Sequence, residues 1–158
     1  MMAPLLGRAE LAAWAERLRA AGRRIVFTNG CFDLIHRGHA EYLAEAAACG
    51  DALLVAVNSD ASVRDLKGPG RPLVPEADRC AVLQYLRPVA AVTIFDEPTP
   101  LETITLVRPD VLVKGDEYAE DGIVGASEVR AWGGDVVRAP MRSGRSTSGL
   151  IASIKRLP

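Results

Sequence analysis

The sequence is poor in several residue types and patterns, and each scarcity removes a class of function. Among 158 residues only two are histidine and three cysteine. Cys31, Cys49 and Cys80 form no Cys-x-x-Cys pair, so neither a zinc knuckle nor a dithiol redox motif is written in them. Reduced thiols in a cytoplasmic protein are the expected state. The formal net charge is −1, which gives no bulk attraction to nucleic acid or to an anionic membrane. No apolar run approaches the roughly 20 residues a membrane span needs. The opening MMAPLLGRAELAAWAERL lacks the basic-then-apolar order of a secretory signal. Internal repeats and low-complexity linkers are absent. No Gly-x-Gly-x-x-Gly follows the first apolar run, which argues against a generic dinucleotide binder.

What is present is alternation. Short apolar runs at 24–28, 53–58, 91–95, 110–114 and 136–138 are separated by helical patterns. That is the signature of a mainly parallel sheet with helices on both faces. The expected architecture is one α/β domain over 1–158: an N-terminal helix within 1–22, then a doubly wound, Rossmann-like core of five parallel strands over 23–158. Helices are expected near 8–21 (stopped by Gly22), 38–49, 75–86 and 127–132. Another is read at Thr99-Pro100-Leu101-Glu102 as a capping box with proline at the first helical position. A last helix opens at Ser146 as its N-cap. Leu66 to Pro72, rich in Gly and Pro, reads as a loop with two cations. Trp14 and Trp132 lie on helical patterns and read as core or interface residues. In such sheets ligands sit beyond the carboxyl ends of the strands, where the strand order reverses.

The stretch Thr28-Asn29-Gly30-Cys31-Phe32-Asp33-Leu34-Ile35-His36-Arg37-Gly38-His39 falls at one such end. Gly30 allows the backbone close to a phosphate, and Gly38 marks a helix start with free N–H groups and a positive dipole end. His36 and His39, three apart, project from one side of that start and are placed to hold two phosphates through ring N–H groups. Other readings of the pair stay open at this point. They are metal ligation without an evident third ligand, a general base, and a pair of histidines that simply cap the helix.

FTNGCFDLIHRGHAEYL resembles the HxGH signature of the nucleotidyltransferase superfamily, which includes cytidylyltransferases and sugar-phosphate adenylyltransferases. VAVNSDASVRDLKGPGRPLVP, EADRCAVL, RPDVLVKGDEY and GRSTSGLI resemble, in the same order, the later motifs of the heptose 1-phosphate adenylyltransferases. The likeness runs over roughly residues 24–154, too long an ordered run for chance. With no room for a kinase domain, the chain is similar to the stand-alone form of that family. The resemblance implies transfer of AMP from ATP, with Mg²⁺, to D-glycero-β-D-manno-heptose 1-phosphate in a bacterial cytoplasm, by a homodimer or higher homo-oligomer. Superfamily members that use glycerol 3-phosphate with CTP, or FMN with ATP, and a non-catalytic nucleotide-binding module, are the alternatives.

The resemblance also implies roles. His36 and His39 would contact the nucleotide phosphates and stabilise charge during transfer. Thr28, Asn29, Gly30, Cys31, Phe32 and Gly38 would line the nucleotide, with Cys31 a small apolar filler and no nucleophile. Asp33, Asn58 and Asp60 fall toward the sugar phosphate, with helix capping the other reading of Asp60. Lys67 and Arg71 resemble a mobile basic segment that closes over a triphosphate, although Arg71 also reads as a solvated charge. Arg79 would point its guanidinium at phosphates. Lys114, Gly115 and Asp116 would hold the adenosine end, with Asp116 standing where relatives often carry Gly. Ser146, Thr147 and Ser148 would take the β- and γ-phosphates, helped by Arg145 or Arg142. No protein metal site is expected.

Overall fold

Burial along the strands explains the sheet. Strand β1 (Ile25–Gly30) is buried over its first four residues and β2 (Ala52–Asn58) over its whole length, the pattern of strands covered on both faces. With β3 (Val89–Phe95), β4 (Val111–Gly115) and β5 (Asp135–Ala139) they form one sheet in the order β3-β2-β1-β4-β5. Every neighbouring pair is parallel. The chain works outward from β1 to β3, then returns to place β4 on the other side of β1. The order therefore reverses between β1 and β4, as a doubly wound sheet requires. The computed structural model describes residues 1–141 and 144–158; Arg142, one of two candidate phosphate ligands, lies outside the described residues.

Seven α-helices are present among the described residues: α1 (Arg8–Ala20), α2 (Arg37–Ala47), α3 (Asp60–Lys67), α4 (Glu76–Gln84), α5 (Leu101–Val107), α6 (Ala126–Ala131) and α7 (Thr147–Lys155). Side chains alternate across each strand, and the core divides accordingly. Val26, Val55, Val57 and Val113 cluster with Tyr42, Leu43 and Ala46 of α2 and Cys80 and Leu83 of α4. Ile25, Phe27, Leu54 and Leu112 cluster with Leu11, Trp14 and Ala15 of α1, Ile104 and Val107 of α5, and Val129 of α6. Each fully buried Val, Leu or Phe contributes about 1.5–3 kcal/mol through burial. The two apolar layers hold the strand ends, and the loops that leave them, in fixed positions.

The outer strands are finished differently. Residues 3–6 run beside β3, where Leu6 N–H donates to Val92 O at 2.8 Å and Val92 N–H to Pro4 O at 2.9 Å. At the other edge Asp135 of β5 pairs with Arg24.

Two local expectations need correcting. Leu66 and Lys67 are not loop: they complete α3, whose N-cap is Ser59, accepting from Ser62 N–H at 3.1 Å. Asp60 is therefore the first helical residue and does not cap. The loop starts at Gly68, where φ is +99°, a conformation natural to glycine. At α5 the expected capping box is absent. Pro100 occupies the N-cap position without a side-chain bond, and Thr99 Oγ1 reaches only Leu101 N–H at 3.5 Å. Glu102 turns to Arg8 instead, at 2.9 Å.

Candidate active site

A cleft of about 480 Å³ opens at the carboxyl ends of β1, β2, β3 and β4. Its walls bring together residues far apart in sequence: Asn29 to Asp33, His36, His39, Asn58, Lys67, Arg71, Lys114 and Arg145 to Ser148. Every one of these was a candidate from sequence.

The loop after β1 is held in an uncommon backbone conformation. Phe32 and Leu34 have φ of +51° and +49°, a region non-glycine residues enter at a cost and keep where surrounding contacts enforce it. Those contacts centre on two buried side chains. Asp33 is 1% exposed. Its Oδ2 accepts from Arg71 Nε and from Leu73 N–H, both at 2.9 Å, and its Oδ1 from Val74 N–H at 3.0 Å. Burial works against its ionisation, but the two amides and the Arg71 guanidinium outweigh that and hold its pKa below the usual carboxylate value. The carbonyl of Asp33 also accepts from Thr147 Oγ1 at 2.6 Å, tying the loop to the start of α7.

Arg79 is the second such side chain, and its expected phosphate contact is corrected by the structure. It is 1% exposed and lies behind the cleft wall. Its guanidinium donates to Val74 O, Cys31 O, Asn58 O and Asp60 Oδ1. A fork with five N–H groups is suited to gather carbonyls from three loops. Arg79 is thus a positioning residue. Asp60 is engaged by it at 2.8 Å and does not line the cleft, contrary to the expected substrate contact. Asn58 does line it, with Nδ2 donating to Ser62 Oγ at 2.9 Å.

Thr28 is also corrected. It is fully buried, and its hydroxyl bonds Tyr42 Oη at 2.7 Å, while Tyr42 donates to Val113 O. Its position in the alternation of β1, on the same face as Val26, was the signal that places it in the core. Asp116 is exposed and accepts from Met141 N–H at 3.3 Å. Glu117 and Tyr118, its neighbours, are the ones on the cleft wall. Phe95, Pro98 and Pro100 line it as well, and nothing in their residue types announced a ligand.

The histidines have a defined geometry. His36 is the N-cap of α2, and its Nδ1 accepts from Gly38 N–H at 3.0 Å. His39 Nδ1 accepts from His36 N–H at 3.3 Å. Since each Nδ1 is an acceptor, each neutral ring carries its proton on Nε2. The rings lie 4.0 Å apart, centroid to centroid, and Phe32 packs on His39. Gly38 is buried beneath them, and a Cβ there would fall 2.8 Å from His36 Cε1. The arrangement thus presents two neutral N–H donors beside a helix start.

Burial, with His36 adjacent, lowers the His39 pKa to about 4. Burial and the Arg145 charge lower that of His36. The unfolded chain takes up these protons near the ordinary 6.5 and folded His39 only near 4. Stability from this source is complete above that ordinary value and is lost as pH falls toward 4. Thermal melts across this window are expected to show a falling Tm, with a shallower slope in His39→Asn. An identical slope in the variant would remove His39 as the cause.

Cations complete the wall. Lys114 Nζ donates to Asn29 O at 3.2 Å and sits 4.7 Å from the Tyr118 ring centroid, with its pKa lowered by burial. Lys67 and Arg145 are exposed, with no salt bridge among the described residues. Arg71 is less free than a loop cation, being held by Asp33. Ser146 caps α7 by accepting from Gly149 N–H at 3.0 Å, and Ser148 faces the cleft from its first turn. Burial raises the Cys31 thiol above its ordinary pKa despite the nearby cations, so it stays protonated and a poor nucleophile. The acidic side chains on the wall are Asp33, whose oxygens are taken, and Glu117.

A doubly wound sheet with paired Nε2–H donors, cations and a serine-capped helix start around one cleft is an arrangement suited to holding the phosphates of a nucleotide. A family model described as cytidylyltransferase-like matches residues 27–148, and the chain belongs to that family. Among curated relatives, it is 54% identical over 149 residues to the bifunctional protein HldE of Koribacter versatilis, an alignment covering 94% of this chain and 31% of that protein. It is 50% identical over 144 residues to bifunctional protein HldE of Methylobacillus flagellatus, covering 91% and 30%. The chain thus spans under a third of the length of these curated relatives. Of solved structures, the lipopolysaccharide core biosynthesis protein of Thermoplasma volcanium is similar with a TM-score of 0.63 at 28% identity, over 77% of this chain and 98% of that one. The pantoate-β-alanine ligase of Francisella tularensis shares the fold, with a TM-score of 0.68 at 14% identity, over 100% and 74%. Among the described residues no helix is long and apolar enough to cross a membrane.

Proposed function

We propose that the chain transfers AMP from ATP to D-glycero-β-D-manno-heptose 1-phosphate, giving ADP-heptose and pyrophosphate. One observation carries the reading: residues from four of the five separated motifs line a single cleft rich in anion-binding groups. The identity to HldE proteins and the likeness to a lipopolysaccharide core biosynthesis protein support the substrate class.

An oxygen of the sugar phosphate attacks the α-phosphorus in line. A new P–O bond forms, the bond bridging the α- and β-phosphates breaks, and its electron pair leaves with pyrophosphate. The nucleophile is already ionised, so no general base is called for. The protein's work is alignment and charge stabilisation. His36 and His39 donate Nε2–H to the phosphates on which negative charge grows. Lys67, Arg71, Arg145 and the hydroxyls of Ser146 to Ser148 hold the triphosphate. Mg²⁺, when bound, neutralises the leaving pyrophosphate. Among the described residues no cluster of three acidic, His or Cys side chains is arranged for a metal. The donors present fit an ion carried by the triphosphate, with Glu117 the acidic group on the wall left to approach it.

The test is pyrophosphate release with Mg²⁺, pairing ATP or CTP with heptose 1-phosphate, glycerol 3-phosphate or FMN. Release with ATP and heptose 1-phosphate alone is expected. Release with a different pair would overturn the substrate, and release with none, in a folded protein that binds ATP, would favour a non-catalytic module.

A further inference from the structure

Four further lobes share walls with the central cleft, and they differ in charge. One of about 550 Å³, between the starts of α2 and α7, carries Arg37, Arg145 and Arg156. Another of about 340 Å³, between the 67–73 segment and α7, carries Lys67, Arg71 and Lys155. A third, about 140 Å³, lies beside His39 and Met141. The fourth, about 260 Å³, is walled by Leu66 and Pro98 to Pro100 on one side and residues 122–124 on the other. Its one charged group is Lys114, which it shares with the central cleft and with the 140 Å³ lobe.

These memberships order the ligands. His36 borders both the cleft and the Arg-lined lobe, and His39 both the cleft and the 140 Å³ lobe. A triphosphate spanning both rings therefore has its β,γ end among the arginines and its nucleoside toward the small lobe. In-line displacement requires the attacking phosphate opposite the leaving group. The 260 Å³ lobe shares no wall residue with either basic lobe, so none of the cations of those lobes lines it.

The geometry points to this lobe as the seat of the acceptor's uncharged body, a polyol whose phosphate is held at the mouth by Lys114; this rests on the sugar-phosphate reading above. The proline rings and Val124 offer C–H faces to a sugar, and Thr99 and Tyr118 offer hydroxyls. With Lys114 at the mouth its one charge, the lining disfavours a second phosphate or carboxylate at the far end of the acceptor, because an enclosed charge without a partner is costly. The wall itself is braced from α1: Arg8 pairs with Glu97 at 2.8 Å and with Glu102 at 2.9 Å, on either side of the prolines.

The experiment is steady-state kinetics on Val124→Trp and, from the facing wall, Thr99→Leu. Val124 is 41% exposed, so the larger ring has room to fold and still intrude on the lobe. We expect Val124→Trp to raise the acceptor KM by about tenfold or more, with the ATP KM within about twofold, the pattern of lost acceptor binding. Thr99→Leu should shift the same constant in the same direction. A rise in the ATP KM instead, or no change in either constant for both variants, overturns the lobe assignment while wild-type turnover of heptose 1-phosphate leaves the function standing. If wild type uses a different acceptor and Val124→Trp raises its KM, the heptose reading falls and the lobe assignment holds. A wild type inert with every acceptor overturns both.

Discussion

His39→Ala is expected to lower turnover by about 100-fold or more, the usual cost of deleting one donor aimed at developing charge. The ring is fixed on three sides: Phe32 packs on it, the His36 ring stacks beside it, and its Nδ1 takes the His36 N–H. Its Nε2–H therefore needs no reorganisation when charge builds on the phosphates, and alanine keeps none of this. The measurement is kcat for pyrophosphate release, with circular dichroism to confirm the fold and titration to confirm that ATP still binds. Near-normal turnover in a folded variant would refute the role.

Asp33→Asn should have the largest effect on stability. The two carboxylate oxygens receive three donors, two on Oδ2 and one on Oδ1. An asparagine has one oxygen, so its NH₂ must confront at least one N–H donor inside a buried site. The expected loss is about 2–4 kcal/mol, a fall in Tm of roughly 5–15 °C for a chain of this size. Residues 68–74 lose their anchor in the same stroke, and tryptic cleavage after Lys67 should accelerate. A Tm within about two degrees of wild type would mean that the three bonds contribute little. At neutral pH the interaction is complete, because the native pKa of Asp33 lies below the ordinary value. It is lost only as acid protonates the folded carboxylate.

Much of this architecture was legible in residue order, for a local reason. Apolar runs at the right spacing specify strands, and a capping Ser146 or a positive-φ glycine such as Gly22 marks a helix end within a few residues. The errors lie where tertiary contacts decide. Helix α3 buries only Ser62 and Val63 among charged neighbours, too faint a stripe to stand out before a Gly-Pro-Gly stretch. Arg79 has the chemistry of a phosphate ligand, and only the convergence of Cys31, Asn58 and Val74 carbonyls turns it inward. Asp116 and Glu117 are both acidic and adjacent, and the turn after β4 selects which of them faces the cleft. Whole motifs were readable because neighbours in sequence leave one strand end together. Single side-chain directions were not.

The segment running beside β3 carries a consequence for self-association. Without residues 3–6, the Val92 N–H and C=O would stand unpaired on a buried-type, apolar strand, a template for another chain's backbone. At the opposite border β5 presents Asp135 and Arg138, charges that resist such docking. The first few residues thus serve as a selvedge, keeping a sheet built for two covered faces from growing sideways into aggregates.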